Sequence, residues 1–199
     1  MFRLLRSPTS VPPGSLGDEE LVSRAQQGDG VAFGVLFERH VGSVRRFLGD
    51  VLRGSDKADD ATQEAFARAH AQLTQSTSSI RFKPWMMGIA RNVAFEAMRV
   101  RRHGEFEEQD SGIPDAVIPS PTPEQVLLDA ELNTQLNAAM GALSQERRAA
   151  LILRVDHGLS YEEIGAMFGW TLPTVKNEIH RARLKLRASL LPHLIGESS

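Results

Sequence analysis

The sequence predicts an all-α protein of two small helical domains joined by a flexible acidic linker, the second domain carrying a helix-turn-helix. Three observations lead there. Apolar residues recur at spacings of three and four in several segments, with no alternating run and no hairpin dipeptide between apolar strands. Residues 104–123 hold four prolines, two glycines and no helical period, so this stretch has no means of packing a core. Near the C-terminus, two short helical patterns meet at a glycine turn.

The elements follow in order. Residues 1–17 are rich in Pro, Ser and Gly and read as a mobile tail. Asp18 is placed to cap a helix through Leu21, Val22 and Ala25, which Gly28-Asp29-Gly30 breaks. Phe33, Leu36, Phe37, Val41, Val44 and Leu48 mark one buried face of the next helix, up to the break at Gly54-Ser55-Asp56. Ala58 to Leu73 is helical, with Ala61, Ala65, Phe66, Ala69 and Leu73 inward, and a polar loop follows from Thr74 to Ser79. Pro84 sits in the first turn of a helix carrying Trp85, Ile89, Val93, Phe95 and Met98; proline is tolerated there because its missing N–H has no helical partner. After the linker, a helix runs from Pro123 to Leu143, and Ser144 caps another that ends at His157-Gly158.

Composition narrows the function. The 199 residues are 41% apolar and 24% charged, the profile of a soluble globular protein. No stretch reaches the roughly 18 apolar residues of a membrane helix. The start, MFRLLRSPTSVPPGS, lacks the apolar core of a signal peptide, so a cytoplasmic protein without membrane insertion is expected. The absence of cysteine excludes disulfides, thiolate metal sites and cysteine catalysis. The six histidines are scattered without an i, i+4 pair, so no metal or other cofactor is expected and they read as partly exposed helix-surface residues. No nucleophile–base pair or phosphate loop stands out, so the chain is not read as an enzyme.

The net charge of −2 conceals a strong segregation. Arg81 to Arg102 holds six bases against one acid, Glu96. Gly104 to Glu131 holds eight acids and no base, and Leu172 to Leu190 five bases against Glu178. Two basic helical segments flanking an acidic connector suggest nucleic acid as a partner.

LSYEEIGAMFGWTLPTVKNEIHRARLKLR, Leu159 to Arg187, is the most informative stretch. Ser160 and Glu163 form a capping box, Gly169 turns the chain and Thr171 caps a second helix. Val175, Ile179, Ala182 and Leu186 form that helix's buried stripe. Thr174, Lys176, Asn177 and His180 lie off it, within reach of base edges or phosphates, and Arg181, Arg183, Lys185 and Arg187 suit the DNA backbone. The competing reading is a helical hairpin with a basic solvated face; the agreement of cap, turn and charge favours DNA. In Phe82 to Gly104, aromatics beside bases suit unstacked single-stranded bases, but a buried Trp85 and Phe95 under a basic outer face suit the pattern equally.

Together these pieces resemble a bacterial RNA polymerase sigma factor of the extracytoplasmic-function (ECF) class of the sigma-70 family, from Asp18 to Leu191. DEELVSRAQQGDGVAFGVLFERHVGSVRRFL looks like the opening helices, ADDATQEAFARAHAQL like the polymerase-docking helix and PWMMGIARNVAFEAMRVRR like the promoter-opening segment. The resemblance implies a disordered tail over 1–17, sigma domain two over 18–103, the linker over 104–123, sigma domain four over 124–192 and a tail over 193–199. It implies docking on core RNA polymerase, its β′ and β subunits, through Asp60, Gln63 and Glu64. It implies -10 DNA contacts by Trp85, Arg91, Asn92, Arg99, Arg101 and Arg102, with Asn92 near a flipped base. It implies -35 contacts by Thr174, Lys176, Asn177, His180, Arg181 and Arg183. It also implies an anti-sigma partner, and a linker that threads into the polymerase cleft. Pro173, Glu178 and Gly165 depart from the family pattern. A stand-alone regulator with the same helix-turn-helix, or a sigma mimic that captures an antagonist, are the rival readings; binding to core polymerase separates them.

Overall fold

The structure is a computed structural model that describes residues 13–103 and 133–195; the linker and the helical start at Pro123 lie outside the described residues. All regular structure among the described residues is helical. Helices α1 (Asp18–Gln26), α2 (Gly30–Leu52), α3 (Ser55–Leu73) and α4 (Phe82–His103) form an amino-terminal bundle. Helix α5 (133–141), α6 (Gln145–Val155), α7 (Tyr161–Phe168) and α8 (Leu172–Ile195) form the carboxy-terminal one.

Local chemistry sets the boundaries. Asp29 caps α2, its carboxylate accepting from the Val31 and Ala32 N–H groups. Ser144 caps α6 through the Arg147 N–H, and Ser160 with Glu163 closes a complete capping box on α7. Two expected boundaries move. Gly17, not Asp18, is the cap of α1, because the Asp18 carboxylate is engaged across the bundle by Arg39 at 2.9 Å and His40 at 2.6 Å. The left-handed residue that ends α2 is Arg53, φ 59°, one position before the expected glycine.

The expected inward faces are largely as drawn. Leu36, Val44 and Leu48 are buried in α2, joined by Phe47, Val51 and Leu52. Phe37 is 39% exposed, yet its ring meets Phe66 edge-on at 4.7 Å. On α3, Ala61, Ala65, Phe66, Ala69 and Leu73 are all buried.

The two bundles share one apolar core. Helix α6 packs on α2, and the turn after α6 places His157 against Phe47, the rings edge-on at 5.7 Å. This corrects the expectation of surface histidines: His157 is 5% exposed. Burial, reinforced by the Lys83 and Arg46 charges, lowers its pKa to about 4.

Asp50 lies on α2 at the same junction, and it carries a like-charge conflict. Burial and then the Asp156 carboxylate raise its pKa from 3.8 to about 6, against an opposing pull from Arg46. A raised folded-state value means that folding is favoured by protonation at low pH and opposed by the ionised form above pH 6. Asp50→Asn is therefore expected to raise Tm at pH 7.5. The gain should shrink as pH falls from 6 through 3.8, where the parent carboxyl is itself neutral. Thermal unfolding at several pH values reads this.

Candidate nucleic-acid and polymerase interface

Helix α8 is split lengthwise by its sequence. Val175, Ile179 and Ala182 are fully buried and Leu186 half-buried, fixing one face on α6 and α7. The opposite face presents Lys176, Asn177, His180, Arg181 and Arg183 to solvent. Thr174 is half-buried, its hydroxyl 2.8 Å from that of Thr171, which caps the helix start. The structure thus brings all six sequence-identified residues of this helix to one exposed side or its edge.

The turn before α8 explains one departure from the family pattern. Trp170 donates its N–H to the Gly165 carbonyl at 2.9 Å, and Gly169 adopts φ 66°. A Cβ on Gly165 would stand 2.8 Å from the Trp170 carbonyl oxygen, so this tight turn requires a glycine. Glu178 has a role that sequence reasoning missed. Its carboxylate accepts from Arg147 on α6 and from Arg181 at 3.2 Å, tying the exposed helix to the bundle. These bonds, Arg147 first, hold its pKa below the usual range. An acid amid five bases was the available signal.

Helix α4 carries the second set. Trp85, Asn92 and Arg99 stand seven residues apart, close to two helical turns, and so share a stripe. Trp85 is half-buried with its ring 5.9 Å from that of Phe82. Asn92 and Arg99 are exposed and border a shallow depression with Phe95 and Glu96. The Asn92 side-chain oxygen accepts from Arg91, whose guanidinium also donates to the Met167 carbonyl. Arg91 is therefore drawn off the stripe, toward α7. The side chains of Arg101 and Arg102 lie outside the described residues.

Between α3 and α4 runs an open groove of about 600 Å³ with an apolar floor of Leu52, Ala61, Val93, Ala97 and Val100. Asp60 and Glu64 rim it on α3, and Arg68 bridges Glu64 and Glu96, both at 2.7 Å. Gln63 is exposed on α3 but does not line the groove. Among the described residues no acid or histidine cluster suits a metal ion, and no helix is long and apolar enough to cross a membrane.

A groove edged by both acids and bases, a helix carrying an aromatic beside arginines, and a helix with one buried and one basic exposed face are the surfaces of an all-helical two-bundle protein. Residues 36–104 match Sigma-70 region 2 and residues 133–186 match Sigma-70 region 4. The chain is 35% identical over 158 residues to the ECF RNA polymerase sigma factor SigE of Mycolicibacterium smegmatis, covering 79% of this chain and 61% of that protein. It is 31% identical to the RNA polymerase sigma-H factor of Pseudomonas aeruginosa, covering 89% of this chain and 95% of that one. The sigma factor RpoE of Bartonella quintana, solved with the anti-sigma factor NepR, has a TM-score of 0.65 at 27% identity, covering 79% of this chain and 96% of that chain. CnrH, solved with the cytosolic domain of CnrY, shares the fold at a TM-score of 0.66, covering 92% of this chain and 99% of that chain. The chain belongs to the sigma-70 family, in its ECF class, and is a sigma factor directing promoter-specific transcription initiation.

The geometry around Glu178 yields a test. Glu178→Gln removes one negative charge from the exposed basic face and releases Arg181, which is 63% exposed. Affinity for duplex DNA is expected to rise and its salt dependence to steepen, because one more cation meets the phosphates. A loss of about 1 kcal/mol or less in stability accompanies it, as for a partly exposed ion pair. Fluorescence titration at several salt concentrations and denaturant unfolding measure the two.

Proposed function

We propose that the factor docks on core polymerase through Asp60, Gln63 and Glu64, reads the -10 strand with α4 and the -35 duplex with α8. In this reading, residues 18–103 and 124–192 act as the two sigma domains, and the protein works in the cytoplasm by binding, without covalent chemistry. Trp85 stacks, Asn92 reads a flipped base in the depression it shares with Phe95, and Arg99, Arg101 and Arg102 hold phosphates. Thr174, Lys176, Asn177 and His180 enter the major groove, with Arg181 and Arg183 on the backbone. The observation that carries the reading is the division of α8, one face locked in the core by Val175, Ile179 and Ala182 and the other offering Lys176, Asn177, His180 and Arg181 to solvent. The solved complex of the Bartonella factor with the anti-sigma factor NepR supports an anti-sigma protein as a further partner.

Reconstitution with purified core polymerase tests the whole: promoter-specific transcripts are expected, and factor that binds duplex DNA but not core would make it a stand-alone regulator. Asp60→Lys with Glu64→Lys is expected to weaken core binding while the melting curve stays within about 0.5 kcal/mol, as for surface changes. Asn92→Ala is expected to lose ~1–3 kcal/mol of discrimination at a single -10 position. A competition series over promoter variants reads it, and an early-melting variant with intact preference would instead make Asn92 structural.

A further inference from the structure

We propose that Leu172 and Pro173, in the first turn of α8, form an apolar contact that reads the C5-methyl group of a thymine in the -35 element. This deepens the reading of α8 given above and rests on it.

A single apolar side chain in solvent needs no explanation; the place of these two is what matters. Val175 and Ile179 are 0% and 1% exposed, yet Leu172, less than one turn earlier, keeps 39% of its surface in solvent. Pro173 is exposed as well. At about 100° per residue, Pro173 projects between Asn177 and His180, and Leu172 beside Lys176. Both therefore belong to the sector that carries the polar side chains of this helix, and they stand at its amino-terminal end. In a helix-turn-helix, the amino-terminal residues of the second helix contact base edges in the major groove. There thymine is the base that offers a methyl group, and apolar side chains meet it.

The same turn is poorly made for the alternative duty, which is to grip a phosphate. A helix start binds phosphate through its unpaired N–H groups. Pro173 has none, and the Thr174 N–H is directed at the Thr171 hydroxyl, 3.4 Å away. The Thr171 and Thr174 hydroxyls are themselves 2.8 Å apart. What the turn offers the groove is mainly carbon, the Leu172 isobutyl group and the Pro173 ring. The basic side chains begin one turn later, at Lys176. Pro173, a departure from the family pattern, thus has a physical consequence. It removes a donor that would hold any sequence and puts in its place a surface that distinguishes thymine from a methyl-free pyrimidine.

Holoenzyme assembled from the full-length factor and purified core polymerase can select its upstream element from a duplex library randomised over that region. Each thymine enriched there is then replaced by deoxyuridine, which lacks only the methyl group. At one position the replacement is expected to weaken binding ~4-fold, the ratio that follows from burying one methyl-sized group. With Leu172→Ala the two duplexes should bind alike, whereas Leu172→Met, which keeps the apolar bulk, should retain the difference. Each ratio compares two duplexes on the same protein, so a loss of folded protein cancels. Pro173→Ala should raise affinity for a scrambled duplex ~5-fold, the yield of one added hydrogen bond, and reduce the discrimination against deoxyuridine. The methyl contact is overturned if no thymine is enriched, if no position senses deoxyuridine, or if Leu172→Ala keeps the full difference. A Pro173→Ala variant with unchanged affinity for the scrambled duplex would overturn the role given to the proline. If the parent selects no upstream sequence at all, the reading of α8 fails and this inference with it.

Discussion

Helix α2 buries Leu36, Val44, Phe47 and Leu48 without residual exposure, and the placement of every other element of the amino-terminal bundle follows from that burial. Helix α1 is drawn onto it by Leu21 and Val22 and pinned by Asp18 against Arg39 and His40. Helix α3 meets it through Phe66 on Phe37, and α4 through Phe82 beside His40. Removing a fully buried phenylalanine typically costs about 3–5 kcal/mol, against a total stability of about 5–15 kcal/mol for a domain. Phe47 is therefore close to indispensable, and it serves twice, because its ring also receives His157 from the second bundle.

The electrostatics are organised by segment rather than in sum. A net charge of −2 predicts little, since the acids at the α3–α4 groove and the bases of α8 lie on different surfaces. Within α8 the acid at Glu178 is spent internally: it holds Arg147 and partly neutralises Arg181, so the exposed face is less cationic than its base count suggests. A strongly basic face would bind any duplex; tempering it shifts the balance from backbone attraction toward base contacts.

Much of this was legible in the sequence because the relevant signals are local. The capping box at Ser160 and Glu163, the glycine turn and the stripe of Val175, Ile179 and Ala182 each follow from neighbours within one or two turns, and each is found in place. The stripe of Trp85, Asn92 and Arg99 was legible only as residues, since the depression that Asn92 and Arg99 share with Phe95 and Glu96 exists only once α4 is built. What escaped were pairings of high sequence separation. His157 read as one more surface histidine because its burial depends on Phe47 and Ser43, 110 and 114 residues away. Arg81, Lys83 and Arg91 counted toward a DNA-binding charge, while their bonds run to the turn after α6 and to α7. No periodicity carries such information, because charge at a position says nothing of which carbonyl or carboxylate the fold will bring to it.

Helix α4 reconciles these duties through its geometry. At 100° per residue, Val93, Glu96, Ala97 and Val100 form one stripe and line the groove with α3. Gly88, Arg91 and Phe95 form another on the far side and face the second bundle. Trp85, Asn92 and Arg99 run between them. One helix therefore offers three separate surfaces, and only the middle one combines an aromatic, an amide and an arginine facing outward. Arg91 stands at the edge between two of them: its guanidinium reaches the Asn92 side-chain oxygen on the middle stripe and the Met167 carbonyl of the second bundle at once, so the two surfaces are coupled through one side chain while the groove stripe is independent of both.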